Sequence, residues 1–361
     1  MLEIDFDRAP FTIAWEITRA CAFACVHCRA DAQHQRDPRE LTTEEGFQLI
    51  ERFKGFGNPI LIFTGGDPMM RRDLFDLIRY ATDVGLRCSL TPTATALPTI
   101  ARLQKARAAG IRRIALSLDA PSPEVHDDFR LVQGSWKRTM RILRNAREVG
   151  LSAQVNTTVT KHNAQLLPAM VDFVQEVGAV QWSIFFLVPT GRGQIDDMVS
   201  AEEHERIFHW LYDLSQAAPF DIKATAAPMY RRVAIERRRA EAARAGEDGI
   251  TFQGAGFQYA DGLHRPVKGV NDGRGFLFIS HQGEIMPSGF LPISAGNVRS
   301  VDVVDTYRNH PLFRDLRDPA KLKGRCGVCK WKVVCGGQRG RAYALTGDYL
   351  ETDPACAYHP N

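Results

Sequence analysis

The chain has 361 residues, 44% of them apolar, with 46 basic and 42 acidic side chains and a net charge of +4. That length implies one large domain with a smaller companion. The near balance of charge argues against nucleic acid as a partner. The lack of any apolar run of about 18 residues argues against a membrane span, and the acidic first residues lack the apolar stretch of a signal peptide.

The expected setting is therefore a reducing cytoplasm, and the cysteines fit it. Seven of the eight fall in two groups, Cys21, Cys25 and Cys28 near the start and Cys326, Cys329, Cys335 and Cys356 near the end. Grouped cysteines in a chain without an export signal read as metal ligands, not disulfides. Cys88 stands alone in a strand-like run and reads as a small core residue.

In chain order, the apolar run 11–17 predicts a strand that leads into the first cysteines. Thr42 and Glu45 predict a capping box that opens a helix ending near Gly55 or Gly57. A buried strand at 59–64 runs into Gly65-Gly66-Asp67-Pro68. Helices near 73–84, 100–109, 136–149 and 166–177 then alternate with strands at 86–90, 114–118, 153–159 and 180–187. Six strands alternating with helices predict a parallel α/β sheet, too small to close an eight-stranded barrel. In such a partial TIM-type barrel, reactive groups belong at the C-terminal strand ends. Residues 200–246 read as helical and charged, with arginines at 231, 232 and 237–239 on a solvated face. Residues 254–275 are glycine-rich, and 276–287 read as a β-hairpin. The expected division is a barrel at 1–215, a linker at 216–275 and a cysteine-rich unit at 276–361.

Three thiolates spaced Cys-x3-Cys-x2-Cys on one loop can hold three irons of a cubane and leave the fourth open. The alternative is a structural zinc loop that borrows a ligand from elsewhere. The triplet after an early strand resembles the radical S-adenosylmethionine (SAM) superfamily. That resemblance implies a (βα)6 partial barrel and SAM chelated to the open iron. It also implies reductive cleavage of SAM to a 5'-deoxyadenosyl radical, which abstracts a substrate hydrogen. Thr64-Gly65-Gly66-Asp67-Pro68 resembles the family's glycine motif for the SAM amino group, with Asp67 where glutamate is usual. Ser117 and Arg130, with Asp119 beside them, match positions that meet the SAM carboxylate. Leu187 closes the sixth strand, where the adenine is expected, and His27 sits beside Cys28 near the cofactor. A plain turn, capping residues and a surface arginine are the alternatives at these places.

The second group, spaced x2, x5 and x20, supplies four ligands, enough for a closed [4Fe-4S] site or for a zinc ribbon. Behind a radical SAM core it resembles the SPASM domain and implies a second, auxiliary cluster. A full SPASM domain holds two clusters, but here Ser288 ends the hairpin and Arg339 stands at a further ligand position. One auxiliary cluster, fully ligated by cysteine, is expected, in an electron-relay or structural role.

The segments 14–21, 188–193, 290–292, 296–299 and 336–344 resemble the tetrapyrrole-modifying branch, whose members remove a β-hydrogen and carbon dioxide from propionates. The partners implied are SAM, a tetrapyrrole substrate and an electron donor such as flavodoxin or ferredoxin. The alternatives are a peptide maturase of the SPASM type and, outside enzymes, a metal-binding scaffold.

Overall fold

The computed structural model describes residues 5–246 and 269–360. Its sheet is built from β1 (Thr12–Glu16), β2 (Ile60–Thr64), β3 (Arg87–Leu90), β4 (Arg113–Ser117), β5 (Ser152–Val159) and β6 (Gln181–Phe186), the six strands read from the sequence. Each pairs in parallel with the next. The apolar runs explain this arrangement: β1 is buried along its whole length, and β5 alternates buried and half-buried residues after the exposed Ser152.

Helices α1 (Thr43–Phe53), α2 (Leu74–Asp83), α3 (Ile100–Ala108), α4 (Pro123–Arg130), α5 (Ser135–Glu148) and α6 (Leu167–Glu176) connect the strands. The expected capping box opens α1: Thr42 Oγ1 accepts from Glu45 N at 3.2 Å, and Glu45 returns a carboxylate to Thr42 N at 2.8 Å. Each helix buries one stripe, as α5 does with Met140, Ile142, Leu143 and Ala146. The short α4 was not expected. Ser122 caps it and Pro123 starts it, and it carries His126 and Arg130 to the end of β4.

Two features extend the barrel beyond six strands. Between α7 (Ala201–Ala217) and α8 (Tyr230–Ala245), in the stretch read as continuously helical, β7 (Asp221–Thr225) adds in parallel to β6. Its five residues are too short for their period to stand out between two charged helices. The hairpin of β8 (Phe276–Ile279) and β9 (Ile285–Met286) forms as expected, but β8 also pairs in parallel with the free edge of β1. The sheet order is therefore β7-β6-β5-β4-β3-β2-β1-β8-β9. An apolar strand announces burial, not its neighbour, so periodicity could not place β8. Most of the glycine-rich stretch lies outside the described residues.

The C-terminal part adds α9 (Val303–Asn309), α10 (Pro311–Arg317), α11 (Gly324–Val328) and α12 (Arg339–Thr346). One continuous core runs from Ile13 and Trp15 through Val155 and Trp182 to Leu277, Phe313 and Ala355. Among the described residues no helix is long and apolar enough to cross a membrane.

Candidate active site

The C-terminal strand ends surround a cavity of about 260 Å³. Cys21, Cys25 and Cys28 line it, with Thr64 at the end of β2, Gly65 and Gly66 just after it, Ser117 at the end of β4, and Leu187 after β6. His27 and Arg130 complete the expected residues that reach it. Asp67, Pro68 and Asp119 do not line it.

The cysteine loop is held from three directions. Cys21 N donates to Gln33 O at 2.7 Å, and Phe23 N donates to Cys21 Sγ at 3.3 Å. From below, Gly66 N donates to Thr18 O at 2.8 Å and Asp67 N to Ala20 O at 2.7 Å. A Cβ on Gly65 would lie 2.4 Å from Thr18 O, and one on Gly66 2.5 Å from Ala20 O. These glycines therefore have a structural reason to be glycine: they let two backbones touch. From the side, Arg192 Nε donates to Cys25 O at 3.0 Å, its Nη1 reaches Asp31 and Ala32 O, and its N–H donates to Cys28 O. Gly191, at φ +64°, passes close to Cys28 O and Arg29 O. Arg192 was missed as a positioning residue. Its signal was the turn-forming Thr190-Gly191-Arg192-Gly193 at a strand end.

Asp67 is turned into the protein. It caps the turn at Pro68–Met70 by accepting from Met69 N at 3.0 Å, and it accepts from Thr95 Oγ1 at 2.9 Å. Burial pushes its pKa up, against those hydrogen bonds. Thr93, which the sequence did not single out, bridges this loop to the cysteines. Its hydroxyl lies 2.9 Å from Gly66 O and 3.6 Å from Cys21 Sγ.

Asp119 is buried and acts through Arg130. Arg130 donates from Nε at 2.7 Å and from Nη2 at 2.5 Å to one Asp119 oxygen, and its Nη1 points at Cys25 Sγ, 3.7 Å away. Burial disfavours the guanidinium charge, but Asp119 and Cys25 outweigh that and raise its pKa. His126 Nδ1 accepts from Asp119 N at 3.1 Å, so the ring is neutral there. His27 stacks on Phe129 with ring centroids 4.1 Å apart, and burial drops its pKa to about 3.

Under the loop lies Glu16, at the end of β1 and fully buried. Arg29 reaches it at 2.6 Å, His281 Nδ1 at 3.0 Å and Arg19 at 3.2 Å. Burial would raise this carboxyl, but Arg29, His281 and Arg19 together hold it at about 2.

Burial pushes the Cys21 and Cys25 thiols up. Thiolates in that place call for positive charge between them, which an iron cluster supplies. Among the described residues no three His, Cys, Asp or Glu side chains close to the spacing of a single ion.

The second group, Cys326, Cys329, Cys335 and Cys356, lines a separate space of about 30 Å³ with Trp331 and Gly337. Trp331 N donates to Cys329 Sγ and Gly337 N to Cys335 Sγ, both at 3.4 Å. Burial pushes Cys335 up to about 12. Arg339 is buried and donates to Tyr349 O and Glu351 O while Nη2 lies 3.7 Å from Cys326 Sγ. The buried Arg341 joins the two regions. It donates to Leu187 O at 3.4 Å, to Ala226 O at 2.7 Å and to Asp353 at 3.0 Å. Cys88 is buried in the core, as expected.

Comparison with known proteins places this geometry. Residues 15–174 match the profile of the Radical SAM superfamily. A protein of Nitratidesulfovibrio vulgaris named AdoMet-dependent heme synthase is 42% identical over 350 residues, 96% of this chain and 92% of that one. A protein of the same name from Methanosarcina barkeri is 42% identical over 358 residues, 99% of each chain. In fold, the chain resembles the crystal structure of Streptococcus suis SuiB bound to S-adenosylmethionine. The TM-score is 0.73 at 16% identity, over 97% of this chain and 78% of that one.

Proposed function

The chain belongs to the radical SAM superfamily, and from that footing we propose that it makes heme by oxidative decarboxylation of propionate side chains on an iron tetrapyrrole. It is an enzyme that works with SAM and a [4Fe-4S] cluster. When bound, these supply the 5'-deoxyadenosyl radical that takes a hydrogen atom from the substrate.

The protein's part is to position and enclose. Cys21, Cys25 and Cys28 would hold the cluster on a loop fixed by Arg192, Gly65 and Gly66. The backbone at Thr64–Gly66, the Ser117 hydroxyl and the Leu187 backbone would hold SAM in the same cavity. Arg130, anchored by Asp119, would place positive charge beside Cys25. Each propionate that becomes a vinyl group loses a hydrogen atom, carbon dioxide and one electron. Cys326, Cys329, Cys335 and Cys356 would hold a second [4Fe-4S] cluster that accepts such an electron. The electron that starts the reaction would come from a small redox protein, such as a flavodoxin or ferredoxin.

The observation that carries this reading is the single cavity in which the three thiols meet Gly65, Gly66, Ser117, Arg130 and Leu187. The names of the relatives add the tetrapyrrole. The test is anaerobic reconstitution with iron and sulfide, then incubation with reductant, SAM and iron-coproporphyrin III. The expected products are 5'-deoxyadenosine, carbon dioxide and heme. Deoxyadenosine formation that iron-coproporphyrin leaves unchanged, with no heme, would overturn the substrate.

A further inference from the structure

We propose that Arg29 is a carboxylate-binding subsite of the cavity, and that it takes a propionate of the substrate. The proposal rests on the tetrapyrrole reading above and assigns one contact within it.

Arg29 follows Cys28 directly and lines the cavity. Its side chain is 22% exposed, so it is neither sealed in the core nor free in solvent. One nitrogen donates to Glu16 at 2.6 Å. Among the described residues no hydrogen-bond partner meets Nε or Nη1, although a guanidinium carries five N–H donors in a fixed fork. The other arginine that lines the cavity, Arg130, is engaged by Asp119 and Cys25. Arg192, although its buried Nη2 has no partner among the described residues, lies outside the cavity and is held by Cys25 O, Asp31 and Ala32 O. Of the two arginines that line the cavity, Arg29 is thus the one with donors to offer.

The surroundings hold it in place and leave its charge in excess. The guanidinium carbon sits 4.8 Å over the Phe278 ring, and the side chain lies against Gly289, where a Cβ would come within 2.9 Å of it. The one buried carboxylate it meets, Glu16, is shared with Arg19 and His281. One negative charge thus faces two permanent positive charges. A rigid arginine with open donors and net positive surroundings suits bidentate capture of a carboxylate.

Position separates the two carboxylates that could use it. Arg29 stands on the wall built by the C-terminal segment, Phe278 and Gly289 to Phe290. Gly65, Gly66 and Ser117 come from β2 and β4. The substrate's carboxylate is therefore assigned to Arg29, and the amino-acid end of SAM to the β2 and β4 side.

The test uses reconstituted holoenzyme and measures binding of iron-coproporphyrin III and of its tetramethyl ester by absorbance titration, with SAM binding measured separately. Arg29→Met is expected to weaken the free acid about ten- to a hundredfold, the loss of a charge-assisted hydrogen bond. The ester and SAM should bind as before, and Arg29→Lys, which keeps the charge but not the fork, should recover only part of the affinity for the acid. Equal affinity of wild type and Arg29→Met for the acid overturns the subsite, as does an equal loss for acid and ester. A loss confined to SAM overturns the assignment to substrate. If Arg29→Met does not hold iron, the wild type decides: the acid must bind at least about tenfold tighter than the ester, and parity overturns the subsite. Arg29-dependent binding without carbon dioxide release leaves the subsite standing and refutes the decarboxylation.

Discussion

The two cysteine groups differ first in the space they face. Three thiols open onto a cavity of about 260 Å³, and four enclose about 30 Å³. Both groups receive backbone N–H bonds at sulfur, and burial raises the thiol pKa in both. The difference therefore lies in what surrounds the sulfurs. Donors with room to bind a ligand stand around the first group, while ordered backbone and Arg339 fill the space around the second. An incomplete ligand set beside a cavity suits chemistry, and a complete set in a closed space suits electron storage.

Exchanging the two groups for alanine should break the molecule in two different ways. Cys21, Cys25 and Cys28 changed together should abolish SAM cleavage and leave about four irons per chain. Cys326 and Cys329 changed together should leave SAM cleavage measurable but yield no heme. Iron content and deoxyadenosine yield separate the cases, and SAM cleavage in the first variant would refute the comparison outright.

The joint between the regions comes next in size. Arg341 and Asp353 are fully buried partners, and Arg341 also holds Leu187 O and Ala226 O. Arg341→Met strands the Asp353 carboxylate, at a cost of about 3–5 kcal/mol. Burial opposes ionisation of Asp353, yet Arg341 and the surrounding N–H groups hold its pKa low. Thermal unfolding should show the loss, and a double change of Arg341→Met with Asp353→Leu should recover part of it. A single variant as stable as wild type would mean that the two regions do not depend on this pair.

Much of this arrangement was legible in the sequence because it rests on local signals. The six strands announced themselves as apolar runs, and the cysteine spacings announced their own grouping. Non-local features were hidden. Nothing in residues 276–279 says that β8 adds to β1, and nothing in Arg192 or Arg341 says that each reaches across more than 100 residues. Asp67 and Asp119 show the other limit. The resemblance points both toward the cofactor, Asp67 through the glycine motif and Asp119 beside Ser117, and in the structure each carboxylate meets a protein partner.

Acid should separate the regions more gently. The neutral His126 ring, beside Asp119 and Arg130, has a pKa lowered to about 4, chiefly by burial. The unfolded chain takes up that proton near pH 6.5, so it binds more protons than the native state between about 6.5 and 4. Stability must then fall as pH falls through that window, by on the order of 3 kcal/mol for a single site. Amide exchange along α4 should rise before that of α12, and His126→Gln should flatten the slope. An unchanged slope would place the acid sensitivity elsewhere.

The smallest expected effect is at Ser288, and it tests whether the second group is complete. Ser288 is buried, and its hydroxyl accepts from Phe290 N at 3.0 Å and Leu291 N at 3.2 Å. It stands where a two-cluster domain would place a ligand, but its lone pairs are turned to the backbone of its own turn. Ser288→Ala leaves two N–H groups without that acceptor and takes the hydroxyl hydrogen bond from the buried Asp272 carboxylate, which costs on the order of 2 kcal/mol. If the four cysteines alone hold the proposed second cluster, it removes no ligand, so iron content and cluster EPR should stay at wild-type values while the melting temperature drops by a few degrees. Loss of iron in this variant would show that the hairpin contributes a ligand, and the closed four-cysteine account of the second group would fail with it.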